Sequence, residues 1–187
     1  MDNGASSYRR FLEGDDNGFV EIVRNYKDGL ILYLNSFTGD IEKSQELAED
    51  TFVKLGIKKP KNKEKASFKT WLYTIGRNTA MDYLRKRRRI YMHELSIENC
   101  KEIADDEKNL ESIYIHNERK IAVHRAVYKL NYEYRQVLWL IYFEEFSHKE
   151  TALIMNKSIS AVETLVYHAR KALKVILEKE DIDFENL

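Results

Sequence analysis

Phe68-Lys-Thr-Trp-Leu-Tyr-Thr-Ile-Gly-Arg-Asn-Thr-Ala-Met-Asp-Tyr-Leu-Arg-Lys-Arg-Arg88 runs on from Ser67 without a proline. At about 100° per residue this stretch divides into two stripes. Phe68, Leu72, Ile75, Thr79 and Tyr83 share one, with Gly76 beside it allowing close approach of a neighbour. Trp71, Asn78, Asp82, Arg85 and Arg89 share the other, and Lys86 and Arg88 thicken its basic end. The pattern predicts a long helix from Phe68 to about Arg88, capped by Ser67. An exposed indole, a carboxamide and a row of cations suit a single nucleic-acid strand: a ring for stacking, an amide for a base edge, charge for phosphate. The same spacing also fits Trp71 in a core and Arg85–Arg89 as a solvated helix end favoured by the helix dipole.

Toward the N-terminus, Asp15 and Asp16 precede an apolar-periodic segment containing Phe19, Val20, Ile22, Val23, Tyr26, Leu30 and Leu34. Gly39 breaks it, and Asp40 offers an N-cap for a helix carrying Ile41, Leu47, Ala48, Phe52 and Leu55 and stopping near Gly56. Lys58-Lys59-Pro60-Lys61-Asn62-Lys63 then reads as a solvated loop. Between Lys54 and Arg89 there are thirteen basic residues against two acidic ones. The overall balance of 31 basic and 31 acidic side chains therefore hides a local surface suited to a polyanion.

Residues 91–116 show scattered apolar residues among acids and no sustained period, which predicts a flexible linker. Beyond it, Ile121, Val123, Ala126, Val127 and Leu130 suit one helix, and Val137, Leu138, Leu140, Ile141 and Phe143 a second. Two helix starts follow, Ser147-His-Lys-Glu150 and Ser160-Ala-Val-Glu163, each reading as a capping box. Asn156 between them suits a left-handed turn. Short helix, turn, longer helix describes a helix-turn-helix, although an αα-hairpin in a plain bundle has the same outline. On the last helix Val162, Leu165, Val166, Ala169, Leu173 and Ile176 face inward. Ser160, Thr164, Tyr167, His168 and Lys171 face outward, where a recognition helix meets base edges and phosphates.

The fold expected is all-α: a helical domain over 1–90, a linker over 91–116, and a helical domain over 117–187 containing the helix-turn-helix. With 187 residues, 43% hydrophobic, each domain has enough apolar material for a core. No apolar run is long enough for a membrane span, and Met1–Arg10 lacks the apolar middle of an export signal. One cysteine, Cys100, forms no internal disulfide. Together these predict a cytoplasmic protein. His93, His116, His124, His148 and His168 show no zinc spacing with Cys100, and there is neither a Gly-rich phosphate loop nor a nucleophile–base constellation. Neither metal, cofactor nor catalytic role is expected.

Three segments together resemble the bacterial RNA polymerase sigma factors, specifically the two-domain extracytoplasmic-function (ECF) group. They are Ser44-Gln-Glu-Leu-Ala-Glu-Asp-Thr-Phe52, the Phe68–Arg88 run with its F-x-x-W-L-x-x-I-x-x-N-x-x-x-D-x-L-R pattern, and the Tyr134–Leu173 helix-turn-helix. The resemblance implies that Glu46, Glu49 and Asp50 beside Phe52 bind the clamp of core RNA polymerase. It implies that Trp71, Asn78, Asp82, Arg85, Lys86, Arg88 and Arg89 capture the opened −10 element of promoter DNA, and that the C-terminal helix-turn-helix reads the −35 element as duplex. An anti-sigma factor that covers these surfaces is implied as a further partner. Two departures from the family pattern stand out. Glu163, Leu165 and His168 occupy recognition-helix positions that are basic in many relatives, and the loop Lys58–Lys65 lacks an aromatic. The rival readings are a stand-alone helix-turn-helix regulator acting on duplex DNA and a helical adaptor binding only proteins.

Overall fold

A computed structural model of the chain describes residues 4–60, 66–94, 123 and 125–179. The chain divides into two compact units, 1–106 and 107–187. The first holds helices α1 (Ala5–Leu12), α2 (Asp16–Thr38), α3 (Ile41–Lys58) and α4 (Phe68–Glu94). The second holds α5 (Tyr132–Leu138), a π-helical turn (Trp139–Phe143), α6 (His148–Met155) and α7 (Ile159–Lys179), with residues 125–128 also helical. Among the described residues there is no strand. The linker expected at 91–116 lies outside the described residues apart from the last turn of α4.

In the first unit, local chemistry sets the helix starts. Asp15 accepts from the Asn17 amide at 3.0 Å, Asp40 from the Lys43 amide at 3.0 Å, and Ser67 from the Thr70 amide at 3.2 Å. These bonds satisfy amides that the first turn of a helix leaves orphaned. Helix α2, with Ile22, Leu30, Ile31, Leu34 and Phe37 buried, packs on α3, which buries Leu47, Ala48 and Leu55, and on α4, where Tyr26 meets Phe68 and Tyr33 meets Tyr73. Each fully buried aliphatic or aromatic side chain contributes roughly 1.5–3 kcal/mol relative to exposure. Gly76 lets α4 lie close on α2: a Cβ there would sit 2.8 Å from Leu30 Cδ1.

Helix α1 is an element that the hydropathy pattern does not mark. It docks by Tyr8 and Phe11, 4% and 7% exposed. Its polar edge ties to α2: Arg10 pairs with Asp15 at 3.1 Å and with Glu21, and the Ser7 hydroxyl donates to Glu21 at 2.8 Å. The Arg10 hydrogen bond, then the Ser7 hydroxyl, holds the Glu21 carboxyl below its ordinary value of 4.5. A carboxylate depressed on folding stabilises the fold above its unfolded pKa, so this tie weakens as the pH falls below 4.5.

The second unit corrects one helix start and one helix. Ser147 forms the expected capping box with Glu150. The second box does not form. Helix α7 begins two residues earlier than expected, and Ser158, not Ser160, accepts the Ala161 amide at 3.1 Å. Ser160 lies inside the first turn, where its carbonyl accepts from Thr164, and Glu163 is exposed. Ser158→Ala is therefore expected to cost about 1 kcal/mol of stability and Ser160→Ala almost nothing, read as denaturant midpoints. The helix expected through Phe143 turns π-helical at Trp139, and Trp139 stacks on Phe143 with centroids 4.5 Å apart.

Candidate nucleic-acid interface

The third-turn packing of α4 fixes which of its faces is free. Phe68, Leu72, Tyr73, Thr79 and Ala80 are buried, and the Thr79 hydroxyl accepts from Lys54 Nζ of α3 at 2.9 Å. The opposite flank therefore faces solvent. Asn78, Asp82, Arg85, Lys86, Arg88 and Arg89 are all exposed. At about 100° per residue Asn78, Arg85, Arg88 and Arg89 fall within one third of the helix circumference, and Arg87 falls on the other side. Asp82 pairs with Arg85 at 3.0 Å, both side chains about two-thirds exposed. Such a pair contributes little to stability, so a phosphate can displace the carboxylate at low cost.

Trp71 is the exception on this flank. Its indole is half-buried, edge-on to Tyr8 at 5.3 Å and to Phe68 at 5.8 Å. The spacing leaves both an exposed and a core Trp71 open, and the indole lies between the two because Tyr8 of α1 fills the space beside it. One side of the ring is structural and the other borders solvent. Tyr8 also reaches the chain leading into α4: its hydroxyl donates to the Pro60 carbonyl at 2.7 Å. Lys59 Nζ sits 4.4 Å from the centre of the Phe11 ring.

Helix α3 presents Glu46, Glu49 and Asp50 to solvent, with Glu46 paired to Lys43. Phe52 lies beneath them: it is 6% exposed and lines a groove of about 460 Å³ between α2 and α3, together with Phe19, Val23, Ala48, Glu49 and Val53. The apolar side chains that do reach solvent there are Val53 and Ile57, at 53% and 79%. Periodicity already places Phe52 with Ile41, Leu47, Ala48 and Leu55 on the apolar face of this helix, and its burial agrees; only the family resemblance sets it beside the acids.

In the second unit, α6, a turn and α7 form the helix-turn-helix. Asn156 adopts the left-handed conformation at φ 53°, and Lys157 Nζ pairs with Glu133 of α5 at 3.0 Å. Val162, Val166 and Ala169 are buried, Leu165, Leu173 and Ile176 half-buried, and Leu177 completes the inner face. Ser160, Thr164, Tyr167, His168 and Lys171 are exposed along the outer face, Tyr167 at 64%. The Thr164 hydroxyl already donates to the Ser160 carbonyl at 3.0 Å, which leaves it an acceptor for a base-edge donor. Among the described residues no group of three or more His, Cys, Asp or Glu is placed to hold a metal, and no helix is long and apolar enough to cross a membrane.

Comparison with known proteins places these two surfaces in one family. Residues 22–90 match the family model for sigma-70 region 2, and residues 120–173 that for sigma-70 region 4. The chain is 26% identical over 172 residues to the ECF RNA polymerase sigma factor SigW of Bacillus subtilis, covering 89% of this chain and 92% of that protein. It is 29% identical over 160 residues to the RNA polymerase sigma factor YlaC of the same organism, covering 85% and 91%. Among solved structures, the sigma factor RpoE of Bartonella quintana, in complex with the anti-sigma factor NepR, shares the fold. Its TM-score is 0.66 at 23% identity, over 86% of this chain and 96% of that one. With region 2 carrying the exposed flank of α4 and region 4 carrying the helix-turn-helix, the chain belongs to the bacterial RNA polymerase sigma factors of the ECF group.

Proposed function

We propose that this chain binds core RNA polymerase and directs it to promoters, with the first unit holding the opened −10 element and the second reading the −35 element as duplex. The observation that carries the reading is the exposed flank of α4, where Asn78 and the cations Arg85, Lys86, Arg88 and Arg89 stand free of the protein's own core. Base unstacking costs a few kcal/mol, offset by contacts to the extruded base and to phosphate. The chain thus shifts an equilibrium between closed and open DNA, and bond making belongs to the polymerase. The exposed acids Glu46, Glu49 and Asp50 of α3 are the docking face for the polymerase clamp, with Phe52 supporting them from beneath. Ser160, Thr164, Tyr167, His168 and Lys171 are the −35 contacts, and Glu163 among them disfavours a phosphate or guanine contact at its position. An anti-sigma factor is the partner expected to cover these faces.

Run-off transcription with purified core polymerase tests the reading. Start-site-specific transcripts are expected only when the chain is added, whereas a stand-alone regulator would protect duplex DNA without polymerase and add no new start site. Asn78→Ala is expected to weaken holoenzyme binding to opened promoter by roughly ten- to a hundredfold, the worth of one good base contact, while polymerase affinity stays the same. Equal loss of both would make Asn78 a structural residue.

A further inference from the structure

Tyr8 bridges α1 and the approach to α4 in a way that a plain core residue does not require. Its ring lies against Phe11, Phe68 and Trp71 at 6.2, 5.4 and 5.3 Å, contacts a phenylalanine would make equally well. Its hydroxyl adds something a phenylalanine lacks, a 2.7 Å hydrogen bond across 52 residues of sequence to the Pro60 carbonyl. Pro60 follows the left-handed Lys59 that ends α3, so this bond fixes the chain just where it leaves one helix on the way to the next. One side chain therefore touches two parts of the candidate strand surface, the backbone at its basic approach and the indole at its rim. We infer that Tyr8 is a positioning residue for promoter-strand capture, holding the Lys59–Pro60 backbone and the Trp71 ring in fixed register while itself touching no DNA.

This inference rests on the strand-binding reading of α4 given above. Lys59 contributes to the same lock by placing its ammonium over Phe11, one turn from Tyr8 on α1. Burial raises the Tyr8 phenol to about 12, so it remains a hydrogen-bond donor throughout the range in which the protein is handled. Removing the Tyr8 hydroxyl lets the Lys59–Pro60 backbone shift, and misplacement of the groups beside it weakens strand binding without unfolding the domain.

The experiment is Tyr8→Phe in the full chain, assembled with core polymerase and titrated with a fluorescent single-stranded −10 oligonucleotide, beside Asn78→Ala. Tyr8→Phe is expected to weaken strand binding roughly five- to tenfold, with core affinity within error of the parent and a thermal midpoint lower by only about 4–8 °C, the cost of one net hydrogen bond. Tyr8→Trp, which keeps a buried ring and supplies a different donor geometry, is expected to show the same selective loss. If Asn78→Ala weakens strand binding and neither Tyr8 variant does, positioning by Tyr8 is overturned and the strand face stands. If none of the three changes strand affinity, the strand-binding reading itself fails. Parallel loss of core affinity, strand affinity and thermal midpoint, or failure of both Tyr8 variants to fold, would make Tyr8 a core residue and nothing more.

Discussion

Replacing Arg85, Lys86, Arg88 and Arg89 together with alanine is expected to lower the affinity of holoenzyme for opened promoter by on the order of a hundredfold or more near physiological salt. All four side chains are exposed on α4, and Arg85 pairs with the solvent-screened Asp82. Removing them therefore costs the fold little, and the effect falls on binding. The decisive readout is the salt dependence. Each phosphate contact to a single strand contributes about 0.7 to the slope of log affinity against log salt, so four lost contacts flatten it by up to roughly 2.8. Arg87 supplies an internal control: it lies about 200° around the helix from Arg85, and Arg87→Ala should leave the slope nearly unchanged. A slope that stays constant in the fourfold variant would reduce these cations to a solvated helix end.

That basic flank was legible because both its causes are local. The 3.6-residue period sorted the α4 stripes, and side-chain caps at Asp15, Asp40, Ser67 and Ser147 marked helix starts within their own few residues. Where a tertiary contact decided the outcome, the pattern fell short. By spacing Trp71 fits either the outward stripe or the core, and α1 decides by folding back and placing Tyr8 against it. The Ser158-Ile-Ser160 frame offers two hydroxyls in cap-like positions. The left-handed Asn156 delivers the chain so that the first of them meets the orphaned amide, which periodicity alone does not distinguish. The π turn at Trp139 shifts the hydrogen-bond ladder without altering composition, so no sequence signal announced it. Helix α4 runs on to Glu94 because nothing between Arg88 and Glu94 is a glycine or proline that would stop it.

Gly18→Ala is expected to be the most damaging small substitution in the first unit. Gly18 is buried in the first turn of α2, and an added Cβ would lie 2.2 Å from the Ser7 carbonyl oxygen and 3.0 Å from the Phe11 amide nitrogen. Both neighbours are backbone atoms of α1, so no rotamer change relieves the clash. Alanine would gain about 1 kcal/mol of intrinsic helix propensity. Separating α1 from α2 loses more, because the Ser7, Arg10 and Glu21 ties and the seats of Tyr8 and Phe11 depend on that approach. The net loss is expected at about 3 kcal/mol, the upper end for overpacking, which lowers the melting midpoint of a domain this size by roughly 12–24 °C. Calorimetry on the full chain should show the shift in the transition of the first unit alone. Promoter-strand binding should fall with it, since α1 carries Tyr8 against Trp71 and Pro60, while duplex binding by the helix-turn-helix persists. A midpoint within about 3 °C of the parent would mean that the two backbones do not meet at Gly18, and the route from α1 to the strand face would lose its first link.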